Sequence, residues 1–417
     1  MQKVKLNNGL TVIVKKLNTG TVSVRLSVKV GSCYETEDRV GVNHFLEHVI
    51  FGKSRRFKYE HVCALERRCG ELNADNGRIG TDYYAEGFFP DVLDQALDVL
   101  SGLIFGAMIT NEDVERERQV ILREIGRVHD NVMDVYDDCY LKNLLTENLF
   151  SKHPLRFPKE GERRVIESVK RSDLWDFYKI FYMPNNMVLA VAGNIDEAET
   201  VAKLKKIFGR YESRELPRFK RIIEPELNGS REVVEERDVA QAYLIAGVRI
   251  SAPEKIRDLC IQDLIEDILA GGSYGRLYYE IRQKRGLAYD VTLDVINTHN
   301  QSCLWLYSES PPEKVQEVKE LLVGDLRKLG TEEIPEEELR AAQQTLTEKY
   351  KRELQSDDLV ANSLCLYEVR GFGAEQYDRY PEELAKITVS DILKAAQEWI
   401  KPDDYVFVRI APRNGAP

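Results

Sequence analysis

The sequence predicts an α+β fold built as two similar halves, and three observations carry that expectation. The chain has 417 residues, more than one hydrophobic core ordinarily supports, so two domains of about 200 residues each are expected. Its segments alternate between extended and helical patterning. Two stretches also match at an offset of 218: Ser172-Asp173-Leu174 against Ser390-Asp391-Ile392, Pro184 against Pro402, and Val188 against Val406. Each copy places a helix, then a proline, then an apolar strand. Between them, Pro217, Pro225, Asn228, Gly229 and Ser230 break any helical period. The expected division is an N-terminal half over 1–213, a linker over 214–230 and a C-terminal half over 231–417.

Residues 10–15 and 21–30 read as neighbouring strands. The second, TVSVRLSVKV, alternates strictly, so one face should be buried and the other wet. Gly31-Ser32 ends it and leads to residues 41–52, GVNHFLEHVIFG, a short helix. Its closing Gly52 suits a left-handed position just past a helix end. A second helix, about 57–69, stops at Gly70. Leu72-Asn73-Ala74 and residues 80–88 look extended, Tyr83 and Tyr84 suiting a sheet. Helices follow at about 90–108, 111–130 and 132–149. In the middle one Asn111 is the expected N-cap, with acids in the first turn where the helix dipole favours them. A helix over 172–182 ends before Pro184, and 187–191 returns to the sheet.

Composition narrows the function. Hydrophobic residues make up 43% and charged residues 31%, ordinary for a globular protein. A net charge of −11 argues against nucleic acid or an anionic membrane as the main partner. The first residues, MQKVKLNNGLTVIV, read directly as strand, with no apolar core of a signal peptide. No stretch approaches the roughly 18 apolar residues that a membrane span needs. The seven cysteines (33, 63, 69, 139, 260, 303, 365) form no CxxC pair and are odd in number. Reduced thiols in the cytoplasm are the expectation.

The chemistry-bearing stretch is His44-Phe45-Leu46-Glu47-His48. On a helix, His44 and His48 share a face, and Glu47 projects from nearly the same stripe. Two imidazoles so placed can bind one zinc ion, and a carboxylate beside them can act as a base toward water. Phe45, Leu46, Val49 and Ile50 are left to bury the helix. The pattern is HxxEH, the mark of inverzincins. A zinc hydrolase needs a third protein ligand. His61, His129 and His153 are isolated candidates. Glu124 is another, on a helix where Glu117 stands seven residues earlier, nearly two turns away and so on the same face. Glu124 could then bind metal while Glu117 orients a ligand histidine. After the linker the only histidine is His299, so the second half carries no such site.

The chain resembles the pitrilysin and mitochondrial-processing-peptidase family of zinc metallopeptidases, in its shorter two-domain form. The resemblance runs through Leu6-Asn7-Asn8-Gly9-Leu10, Gly31-Ser32 with Glu35, GVNHFLEH, Leu72-Asn73-Ala74, ERERQVILREI and His153-Pro154-Leu155. The family places its third ligand, a glutamate, about 76 residues beyond the second histidine, which lands on Glu124. It also implies that Arg282 and Tyr289, in RQKRGLAY, reach the active site and hold the substrate carbonyl. A guanidinium and a phenol suit a forming oxyanion. Asn73 and Ala74 are implied to lie on an edge strand that takes up peptide by β-augmentation. Two departures bear on substrate preference. The helix continues as VIFGKS where relatives often have a Met and a Lys-Gly-Thr ending, and Asp-Asn-Gly-Arg-Ile-Gly replaces a Thr-rich strand after Ala74.

The resemblance implies two mostly antiparallel sheets packed with helices on one side, one zinc per chain, and an endopeptidase acting on unstructured peptides inside a chamber of four such halves. A homodimer with shared active sites, or a heterodimer with a related subunit, would complete that chamber. The main alternative is a non-catalytic assembly subunit of the same family. Such subunits typically lose part of HxxEH, and here all of it stands.

Overall fold

The computed structural model describes residues 1–134, 139–217, 221–401 and 403–413; Pro402 of the repeat lies outside them. Two compact units form. The first draws on Met1–Ile125, Pro158–Lys220 and Tyr350–Asp378, the second on Gly126–Phe157, Arg221–Lys349 and Arg379–Pro417.

The first unit holds a sheet of β1 (Gln2–Lys5), β2 (Thr11–Lys16), β3 (Val22–Val28), β4 (Glu71–Asn76), β5 (Thr81–Phe88) and β6 (Met187–Gly193). Their order is β1-β2-β6-β3-β5-β4, antiparallel except where β2 runs beside β6. The second unit holds β7 (Arg231–Arg237), β8 (Ala242–Ile250), β9 (Val291–Asn297), β10 (Ser302–Ser310) and β11 (Tyr405–Pro412). Their order is β7-β11-β8-β10-β9, antiparallel except for β7 beside β11. Setting β1 aside, the two sheets match strand for strand, with the single parallel pair in the same place. Val188 and Val406, paired by the 218-residue offset, fall on the matching strands β6 and β11. The halves are similar.

Helix α1 (Val42–Phe51) is only ten residues long, too short to be stable by itself. Packing holds it: Phe45, Leu46, Val49 and Ile50 join Val22, Val24, Leu26 and Val28 of β3 in one buried core. Each such side chain contributes about 1.5–3 kcal/mol on burial. The expected helices form as α2 (Tyr59–Glu66), α3 (Leu93–Phe105) and α4 (Asn111–Asp130); of the one expected over 132–149, residues 132–134 are not helical, 135–138 lie outside the described residues, and α5 runs over Tyr140–Leu149 alone.

Three local expectations are corrected. Gly52 has φ −82° and ψ −35°, right-handed helical space rather than a left-handed cap. The cap of α4 is Thr110, not Asn111: Thr110 Oγ1 accepts from the Asp113 N–H at 3.2 Å, and the Asp113 carboxylate accepts from the Thr110 N–H at 3.3 Å. The capping box simply begins one residue earlier. The largest difference concerns β3, whose polar face is dry. Ser23, Arg25 and Ser27 are all buried because the helix Asp357–Val369 packs across β3 and β6. Ser23 donates to Asp357 at 2.7 Å, and Arg25 is paired with Asp82 and Glu86 at 3.0 and 2.7 Å. Alternation therefore marks the sheet's chemistry correctly but not its solvent. In the second unit α5 packs on the matching strands β8 and β11, and Gly247 makes room for it: a Cβ there would sit 2.8 Å from the Leu145 side chain. Helices thus cover both faces of the first sheet, α1 on one and Asp357–Val369 on the other, rather than the one side expected. Among the described residues no helix is long and apolar enough to cross a membrane.

Candidate metal centre

Helix α1 opens at Gly41, whose φ of 95° lies in the left-handed region. A Cβ at this position would stand 2.5 Å from the Gly161 Cα, so glycine is required twice over. The buried N-terminal end of the helix is capped by a residue six positions before it. Glu35, buried, accepts the N–H of Gly41 at 2.8 Å and of Asn43 at 2.6 Å. Burial pushes its carboxyl up to about 8, the two N–H donors opposing. Replacing Glu35 by Ala leaves two buried donors unpaired, so unfolding should become easier by about 2–3 kcal/mol. Denaturant melts of the parent and of Glu35→Ala measure it; an unchanged midpoint would mean that Glu35 does not hold the start of α1.

From that start, α1 sets His44 and His48 side by side, their Nε2 atoms 3.1 Å apart. Glu124, on α4, brings its Oε2 to 3.5 Å from His44 Nε2 and 3.4 Å from His48 Nε2. Among the described residues this is the one cluster of His, Cys, Asp or Glu close enough to hold an ion. The spacing is informative. Ligands bound tetrahedrally at about 2.0–2.1 Å lie about 3.3–3.4 Å from one another, and the three edges measured here bracket that value. The donor set fits zinc.

Each imidazole is aimed by its other nitrogen. His44 Nδ1 donates to the Glu160 carbonyl at 3.0 Å, which leaves Nε2 as the free lone pair. His48 Nδ1 lies 3.4 Å from the Glu117 carboxylate, itself bound at 3.0 Å by Arg116. Glu117 thus meets His48 at Nδ1, the ring nitrogen opposite the one that faces Glu124. Burial, reinforced by the neighbouring His48, holds His44 down to about 4. Burial also opposes charge on His48, but Glu117 and Glu124 outweigh it and hold that imidazole up at about 10.

Glu47 is 9% exposed beside the cluster. Burial first, with Asp75 and Glu124 adding to it against His48, pushes its carboxyl up to about 7. The other histidines are engaged elsewhere. His61 Nδ1 accepts from Lys58 N–H at the start of α2, His129 lies near Asp130, and His153 accepts from Leu155 N–H while its Nε2 meets Asn300.

Asn73 and Ala74 lie on β4, the edge of the first sheet, where Asn73 Oδ1 accepts the Ala74 N–H at 2.9 Å. In the second unit, Arg282 sits in the short π-helix Tyr279–Lys284. Its guanidinium lies 4.3 Å from the Tyr289 ring centre, and Tyr289 is 70% exposed. The Gly286 turn, φ 61°, brings the pair together. Sequence reasoning missed the Glu160 carbonyl, since a backbone group leaves no residue-type signal, and it missed what Gly41 does.

Comparison with known proteins agrees with this chemistry. Residues 10–159 match the family model for insulinase, peptidase family M16, and residues 168–346 match that for the peptidase M16 inactive domain. An uncharacterized zinc protease of Mycobacterium leprae is 31% identical over 351 residues, covering 82% of this chain and 76% of that one. One from Rickettsia felis is 28% identical and covers 96% and 92%. The mitochondrial-processing peptidase subunit beta of Caenorhabditis elegans is 33% identical, over 49% of this chain and 43% of its own. Among solved structures, a protease from Helicobacter pylori superposes with a TM-score of 0.89 at 24% identity, covering 99% of both chains. The chain belongs to the M16 family of zinc metallopeptidases.

Proposed function

We propose that this chain is a zinc-dependent endopeptidase of unstructured peptides. The observation that carries the reading is the triangle of His44, His48 and Glu124, whose 3.1, 3.5 and 3.4 Å edges suit one tetrahedral ion. These three residues would hold one zinc per chain, and Glu117 would orient His48. A zinc ion held there would supply Lewis acidity toward a peptide carbonyl and would make water a better acid. Glu47 takes the proton from the attacking water on its carboxylate and delivers it to the departing amine. Asn73 and Ala74 hold the peptide backbone along β4. Arg282 and Tyr289 donate to the oxyanion as it forms. The seven free cysteines support a reducing, cytoplasmic setting.

The direct test is a peptide mixture incubated with the protein, with and without a chelator, the cuts being mapped by mass spectrometry. Chelator-sensitive cleavage is expected. A zinc-loaded protein that cuts nothing supports the alternative, a non-catalytic assembly subunit.

In this reading two copies complete the chamber, and Arg282 and Tyr289 serve the zinc site of the partner chain. The presence of HFLEH, Glu124, Arg282 and Tyr289 in one sequence supports a homodimer. The relative named as a subunit beta favours a heterodimer as the second arrangement. Mixing a Glu47→Gln subunit with an Arg282→Ala subunit, each inactive alone, separates them. Recovered activity is expected, with at most about half of the dimers mixed under random exchange. No recovery despite demonstrated exchange would confine Arg282 to its own chain's site or remove it from catalysis.

A further inference from the structure

The departure Asp-Asn-Gly-Arg-Ile-Gly after Ala74, and the asparagine of GVNHFLEH, meet in the fold. Asn76 is the last residue of β4 and pairs in register with Thr81, the first of β5. Into that cross-strand pair projects Asn43, which directly precedes His44. All three are buried, Asn43 and Thr81 completely and Asn76 to 4% exposure. The Asn43 amide nitrogen donates to Asn76 Oδ1 and, at 2.8 Å, to Thr81 Oγ1.

The polarity of this network follows from its two ends. Thr81 Oγ1 donates to the Val30 carbonyl at 2.8 Å, and Asn76 Nδ2 donates to the Lys159 carbonyl at 3.4 Å. Both ends are backbone acceptors. With those protons committed, Thr81 and Asn76 each turn an oxygen toward residue 43, so that position must supply two N–H donors from one group. A carboxamide of this length does so; serine has one proton, aspartate none and glutamine an extra methylene. The next carbonyl along from Lys159 is that of Glu160, which holds His44 Nδ1. One circuit therefore links the metal helix, the closed end of the β4/β5 hairpin and the loop that aims a ligand imidazole.

We infer that the Asn43/Asn76 pair is a positioning clamp that fixes β4 at one register against the metal helix, so that a peptide laid on β4 presents a defined bond to the metal centre. The inference rests on the peptidase reading for its peptide and on the circuit for its mechanism. Neither residue touches the reacting atoms; each acts through β4 and His44.

The test is a double-mutant cycle with Asn43→Ala, Asn76→Ala and the pair together. Zinc affinity is read by chelator competition, cut positions on one fixed peptide by mass spectrometry, and folding by thermal melts. Each single change should weaken zinc about 10-fold, the lower range for groups that orient metal ligands. Each should also spread cleavage from the principal bond to its neighbours. Because the two residues act as one unit, the double variant should be no worse than the more damaging single. Losses that multiply in the double variant, or a cut map identical to the parent in all three, would overturn the clamp. If Asn43→Ala does not fold, Asn43→Ser takes its place in the same cycle. If the parent binds zinc but cuts no peptide, the peptidase reading fails, and the coupling in zinc affinity alone decides whether the clamp exists.

Discussion

A Glu47→Gln protein should keep its zinc and cleave peptides about 10²–10⁴-fold more slowly than the parent, the range that loss of a positioned general base commonly produces. The substitution is nearly isosteric. Phe45, Leu46, Val49 and Ile50 bury α1, so the helix does not depend on residue 47, and both imidazoles keep their outer hydrogen bonds to Glu160 and Glu117. What changes is the ability to take a proton. Glu47 sits beside the cluster and largely out of solvent, where no bulk base can substitute for it readily. The assay pairs kcat with metal content by elemental analysis. A zinc-loaded Glu47→Gln preparation with parental activity would end the general-base assignment, whereas loss of metal together with activity would move Glu47 into the ligand set.

The site was more legible in the sequence than the fold around it. His44, Glu47 and His48 are four residues or fewer apart, and helical geometry alone puts them on one face. Glu124 is different. Its helix and its alignment with Glu117 follow from periodicity, but its meeting with α1 is a tertiary matter: residue patterning left His61, His129 and His153 open beside it, and only the family spacing singled it out. The duplication was readable because Val188 and Val406 mark strands in equivalent positions. The packing of the late helix Asp357–Val369 on the first sheet was not. Ser23, Arg25 and Ser27 carry the polarity of a solvent face, yet Asp357 arrives from more than 300 residues away to satisfy Ser23. No local pattern encodes that meeting, since a polar side chain paired with a buried carboxylate and one paired with water look alike in sequence. Gly52 and Asn111 show the other limit: helix ends are decided by single residues, and Thr110 with Asp113 outcompeted the neighbouring asparagine.

The second large effect concerns the metal itself. Glu124→Gln should lose zinc, and Glu117→Gln should only weaken it. At Glu124 the change keeps an oxygen donor of the same reach and removes the one anion among the three converging groups, which lie within 3.5 Å of one another. Two neutral imidazoles and a neutral amide then face a dication, and the charge that favoured its uptake is gone. At Glu117 the carboxylate lies behind His48, 3.4 Å from Nδ1, and glutamine still offers that nitrogen an acceptor. The loss there should fall within the roughly 10–100-fold seen when groups that orient ligands are altered, and Glu124→Gln should exceed it. Elemental analysis after dialysis, followed by chelator competition on whatever metal remains, ranks the two. The reverse ranking would exchange their roles and place Glu117 on the ion, while zinc held equally by both variants and the parent would place the metal outside this triangle.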